Sequence, residues 1–182
     1  MRKLHKRHAV ALVVMLGAAL AVVSYAIAAG GSRNFDERLD SYQEPPSISS
    51  VGKGSFRAEL SKDGDSISYR LSYSGLEGNV AQAHIHLGQA DVNGGISVFL
   101  CTNLGNGPAG TQLCPASPAT VTGTITAANV IGPAAQGIAA TEFAELVRAM
   151  RAGVTYVNVH SDKFPGGEIR AQLGDGKKDD DD

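Results

Sequence analysis

Short runs in which every second residue is apolar recur along most of this chain, and such a run suits a strand with one face buried and one face polar. In SFRAELS the apolar set is Phe56, Ala58 and Leu60; after the turn KDGD it is Ile67, Tyr69, Leu71 and Tyr73 in SISYRLSYS. Asp63-Gly64 supplies the turn chemistry that joins the two as a hairpin. Further runs follow at AQAHIHLG, GISVFLC, TVTGTITAANVI, GVTYVNVH and GEIRAQL, each bounded by Gly, Pro, Asn or Asp. Seven or more short strands with this punctuation predict a mainly β fold, a Greek-key β-sandwich or barrel. One segment departs from the pattern. TEFAELVRAMRAG sets Phe143, Leu146, Val147 and Met150 on one helical stripe, with Thr141 as N-cap, Glu142 and Glu145 early, Arg148 and Arg151 late, and Gly153 as the stop. A single α-helix is therefore expected to pack on the sheet.

The N-terminal MRKLHKRH is a basic run followed by the apolar stretch Ala9 to Val23 and by AIA at Ala26 to Ala28. That order is the layout of an export signal, with cleavage expected after Ala28. The other reading is an uncleaved membrane anchor, since the apolar stretch counted through to Ala28 reaches the roughly 20 residues a spanning helix needs. Residues 29–38 read as a linker, 39–173 as one domain, and 174–182 as a disordered acidic tail with nothing apolar to bury. Loss of Arg2, Lys3, Lys6 and Arg7 with the signal would leave 12 basic residues against 18 acidic ones. An acidic surface without a basic cluster excludes phosphate-backbone recognition as a plausible role, so no nucleic acid is expected as a partner. Contact with a membrane is expected only through an uncleaved N-terminal segment.

Two cysteines exist, Cys101 and Cys114. In an exported chain an isolated pair so close in sequence is expected to form a disulfide, here pinning the Gly-rich segment TNLGNGPAGTQL. An extracytoplasmic location, secreted or periplasmic, follows from the signal, with N-terminal anchoring as its alternative.

The histidines carry the chemistry. Of five, His5 and His8 belong to the signal, leaving His84, His86 and His160. In AQAHIHLG the residues Ala83, Ile85 and Leu87 share one face of the strand, so His84 and His86 share the other. The same parity puts Val157 and Val159 inward, with Tyr156, Asn158 and His160 outward. After the turn SDKFPGG, Ile169, Ala171 and Leu173 are inward, and Glu168, Arg170 and Gln172 outward. If this hairpin pairs His160 with Glu168, Asn158 lies opposite Arg170. Should the two histidine-bearing strands be neighbours, three imidazoles converge on one cation, and three nitrogens outside the cell suit copper or zinc. Glu168 would then orient a ring through its second nitrogen, with Asn158 and Arg170 beside the site. Binding of that kind is expected to weaken between about pH 7 and 6, where a free imidazole takes up a proton. The plainer reading is three partly exposed histidines on a polar, ligand- or protein-binding surface.

The ordered series LDSYQEPP, SGLEGNV, AQAHIHLGQADVNGGISVFLC, TVTGTITAANVIGP, EFAELVRAMRAGVTYVNVH and KFPGGEIRAQL resembles the CHRD (chordin) domain, over about Leu39 to Leu173. The resemblance implies a secreted, mostly β domain of the single-domain exported bacterial type, with no established enzymatic activity. A weaker similarity is to the copper/zinc superoxide dismutases, which carry a His-x-His pair and a metal on the outer face of a Greek-key barrel. The chain departs from them in lacking the further histidines and aspartate of a bridged two-metal site. Other catalytic arrangements find less support: no serine stands in a Gly-x-Ser-x-Gly elbow, and Glu59, Glu77, Asp91 and Glu168 lie on separate elements. The function expected is thus an extracytoplasmic binding module, its partner a protein or ligand that the sequence does not name. The alternative is a metal-dependent enzyme of superoxide-dismutase type.

Overall fold

The computed structural model describes residues 32–174. The expected signal or anchor at 1–28 lies outside the described residues, as does the acidic tail beyond Gly174. Among the described residues no helix is long and apolar enough to cross a membrane.

Eight strands form one sheet: β1 (Asn34–Asp40), β2 (Lys53–Leu60), β3 (Ser66–Ser74), β4 (Val80–Leu87), β5 (Gly95–Thr102), β6 (Ala119–Thr126), β7 (Thr155–Ser161) and β8 (Ile169–Leu173). Their order is β5-β4-β7-β8-β1-β2-β3-β6, and each neighbouring pair is antiparallel. The sheet curls until its two edges nearly meet, so the architecture is a barrel rather than two stacked sheets. At the seam the Tyr69 hydroxyl donates to the Leu100 carbonyl of β5 (3.0 Å). Gln112 Nε2 reaches the carbonyls of both Leu100 and Thr122, each at 3.1 Å, and so links β5 to β6. A side-chain amide thus stands where ladder bonds would otherwise close the barrel.

Alternation fills the interior. Phe56, Ile67, Leu71, Ile85, Leu100, Val157 and Ile169 are all fully buried there, and each such side chain contributes roughly 1.5–3 kcal/mol relative to exposure. The β2–β3 hairpin turns at Gly64, whose φ of 74° is the left-handed conformation the turn requires. The helix α1 (Phe143–Arg151) buries Phe143, Leu146, Val147 and Met150, the stripe expected of it. Its start differs from expectation: Glu142 occupies the N-cap position, while Thr141 stands one residue earlier with φ 70°. There the Thr141 carbonyl accepts from the Phe143 amide (2.8 Å), so the backbone turn takes the place of a hydroxyl cap.

The first strand also lies earlier than the sequence suggested. β1 begins at Asn34, inside the stretch read as a linker, and buries Phe35 and Leu39 against the core. Its intervening residues Asp36, Glu37 and Arg38 mask the period-two signal: Asp36 and Arg38 face solvent, but Glu37, half-buried, puts a charge at the apolar position between Phe35 and Leu39.

Cys101 and Cys114 form a disulfide across a separation of 13 residues. A bridge closing a loop of that size stabilises by about 3 kcal/mol. Here it also ties down the segment that carries Gln112 to the seam. Replacing both cysteines with serine should lower stability by about that amount, read as an earlier urea midpoint with a steeper slope, because the unbridged denatured chain exposes more surface. An unshifted midpoint would show that the seam is held without the bridge.

Candidate metal centre

β7 and β8 are buried at every residue, on both faces. Their inner face belongs to the barrel core. Their outer face is polar, and it is covered by the segments 41–52, 88–94 and 162–167. The parity expected of the three histidines holds, but their exposure does not: His84, His86 and His160 are 0%, 7% and 6% exposed. The cause is the roof, which period-two reasoning cannot see because it is built from loops.

β4 lies between β5 and β7, with His84 opposite Asn158 and His86 opposite Tyr156. Asn158 in turn faces Arg170 across the β7–β8 pair, the register expected. Two irregularities in the β4–β5 ladder, after Ala83 and after Ile85, each come immediately before one of the two histidines; such bulges re-aim side chains. The result is one cluster. His84 Nδ1 lies 3.2 Å from His160 Nε2, and one ligand nitrogen from each of the three rings falls within 4.8 Å of the others.

Two rings are held from behind by backbone carbonyls. His86 Nδ1 donates to the Gly94 carbonyl (3.0 Å) and His160 Nδ1 to the Pro165 carbonyl (2.9 Å). Because a carbonyl oxygen only accepts, both rings carry their proton on Nδ1 and keep a lone pair on Nε2. This is the outer-shell arrangement that orients metal-ligating imidazoles. The buried Nε2 atoms of His84 and His86 have no hydrogen-bond partner, so their lone pairs are free for a cation. Burial pushes His84 down to about 2, helped by its two histidine neighbours, and His86 down to about 4; it lowers His160 as well. His84 and His86 therefore stay neutral through pH 6 to 7, and the loss of ligating power expected in that interval moves to more acidic pH for these two rings.

Around the rings the layer is closely fitted. The Phe99 ring meets His84 edge-on at 4.4 Å, and Tyr156 stacks parallel to His86 at 4.7 Å. Arg170, 1% exposed, lies over the other side of Tyr156 with its guanidinium carbon 3.4 Å from the ring centre. The same guanidinium donates to the Gln89 and Val92 carbonyls (3.1 and 3.0 Å) and so fastens the 88–94 loop. Tyr156 Oη accepts from the Gly94 amide (3.2 Å). Arg170 thereby supports His86 twice, through the stack and through the loop that presents the Gly94 carbonyl.

Glu168 is fully buried, yet it does not orient a ring in the way anticipated. Its Oε1 accepts from the Ser50 hydroxyl and the Glu77 amide, both at 2.7 Å, so it anchors the roof segment instead. A second carboxyl, Glu44, went unnoticed in the sequence. It is 5% exposed, and burial raises it to about 7, with Arg170 and a hydrogen bond from Asn158 pulling the other way. Nothing in EPP marks such a residue, since its burial depends on Asp40, whose carboxylate caps the Tyr42 and Gln43 amides (2.9 and 3.2 Å) and starts the roof.

Among curated proteins and solved structures, none matches the chain. The family model described as CHRD domain matches residues 35–173. That span runs from within β1 to the last residue of β8 and takes in the histidine cluster and its roof: the chain belongs to the CHRD domain family.

Proposed function

We propose that this protein is an extracytoplasmic binding module in which His84, His86 and His160 hold a single copper or zinc ion. The disulfide and the CHRD domain fit an extracellular domain, and the family is of a binding-module type. The observation that carries the metal reading is the cluster itself: three buried imidazoles on two adjacent strands, two of them held by carbonyls with the proton on Nδ1, which leaves the Nε2 of His86 unpartnered and turns that of His160 toward His84 Nδ1. A surface patch of histidines would need neither the roof nor the locks. Arg170, Asn158 and Tyr156 form the surrounding shell, and Glu168 acts at one remove by holding the roof.

Titration calorimetry with Zn(II) and Cu(II) tests this on the wild type and on His84→Ala, His86→Ala and His160→Ala. One ion per chain is expected, with each substitution weakening affinity by at least ~100-fold, more than the 10–100-fold typical of an outer-shell change. Wild-type binding no tighter than that of the single-alanine variants defeats the reading, provided circular dichroism shows each variant folded. The alternative of a superoxide-dismutase-type enzyme is tested on the same samples: superoxide turnover by the loaded wild type, lost in His160→Ala, would replace the binding-module reading.

A further inference from the structure

Resting on that three-histidine site, the geometry points to a monovalent soft cation, cuprous copper, as the ion the centre prefers over zinc(II). The donor set comes first. All three ligands are uncharged imidazoles, and no carboxylate or thiolate belongs to the group. Zinc sites that lack an anionic ligand keep a fourth position for water. Here His84 is fully buried beneath the edge of Phe99, His160 is in contact with His84, and His86 is stacked on Tyr156. Copper(I), a closed-shell ion, accepts three nitrogens in a plane and needs no fourth ligand.

Charge points the same way. Neutral ligands leave the whole charge of the ion inside the layer, and the cost of transferring an ion from water rises with the square of its charge, so a dication pays about four times what a monocation does. The surroundings offer little compensation. The Arg170 guanidinium is a positive charge two rings away, through Tyr156 and His86. Glu44, the carboxyl coupled to Arg170, is held protonated below about pH 7 by its burial. Glu168 directs Oε1 to Ser50 and Glu77, on the roof side. The carboxamide of Asn158 stands opposite His84, its Oδ1 buried without a partner, a neutral group at the place where a charged one would serve a dication.

The test uses the full chain at pH 6.5 without oxygen. Copper(I) is titrated against the chromogenic chelator bicinchoninate, and zinc(II) against a zinc-responsive dye. Affinity for Cu(I) is expected to exceed that for Zn(II) by at least ~100-fold, a difference of about 2.7 kcal/mol. A second variant, Asn158→Asp, places beside the site a carboxyl that a bound dication draws into its ionised form, and should move the Cu(I)-to-Zn(II) ratio at least ~10-fold toward zinc. Zinc binding equal to or tighter than Cu(I) in the wild type overturns the inference, as does an Asn158→Asp ratio that stays put in a folded protein. Failure of the wild type to bind either ion is a different result: it removes the three-histidine site, and the preference with it.

Discussion

Gly94→Ala is expected to lower the thermal midpoint by about 10 °C and to weaken the metal binding proposed for the histidine cluster in the molecules that remain folded. Gly94 is where the 88–94 loop returns to the barrel, and a Cβ built there lies 2.6 Å from the Leu87 carbonyl carbon and closer still to its oxygen. Nothing flexible stands in the way; the obstacle is the end of β4 itself, so the loop must lift. Two bonds lift with it: the Gly94 amide to Tyr156 Oη and the Gly94 carbonyl to His86 Nδ1. Overpacking against backbone costs on the order of 3 kcal/mol, and a domain of this size loses about 2–4 °C per kcal/mol. The matched control is Gly166→Ala, where a Cβ meets nothing within 4 Å and the change should stay within about 0.5 kcal/mol. Equal midpoints for the two variants in a scanning calorimeter would show that the loop is not held as described.

That loop also marks the boundary of what the sequence made legible. The face each histidine occupies followed from parity alone, since Ile85 must enter the core and its neighbours cannot. The Asn158–Arg170 register followed from matching the polar faces of two strands. What parity could not supply was depth. Whether a polar face meets water depends on segments from elsewhere in the chain, and here Pro165, Gly94 and Glu44 arrive from three separate loops. Glu168 was placed correctly on the outer face and assigned the wrong partner for the same reason: Ser50 and Glu77 reach it from loops, and no strand pattern announces them. β1 was missed through composition, because three of its seven residues are Asp36, Glu37 and Arg38 in succession. The disulfide, by contrast, needed only the count of two cysteines and an oxidising compartment.

Glu44→Gln should make the metal-free protein more stable at pH 8 while leaving it nearly unchanged near pH 4.5. The wild-type carboxyl is raised from 4.5 to about 7 by burial beneath the roof. Between those values the folded protein holds a proton that the unfolded chain has released, so wild-type stability falls as pH rises through the interval and levels off above the folded value. A displacement of that size corresponds to about 3 kcal/mol at pH 8, at 1.36 kcal/mol per unit. Glutamine fills the same space, remains uncharged throughout and keeps a polar contact for Asn158. The Arg170 guanidinium opposes the shift without cancelling it, and it is present in both proteins. His84, His86 and His160 act in the opposite sense: buried and neutral, they contribute stability that is present above about 6.5 and lost as the pH falls toward their depressed values. They too are common to both proteins, so the difference between the two urea-unfolding curves isolates Glu44. With a chelator present to keep the site metal-free, the gap in unfolding free energy should open between pH 5 and 8 in favour of the variant. A gap that stays constant over that range would mean that Glu44 meets water in the folded protein, and that the roof over the histidines is open where the structure has it shut.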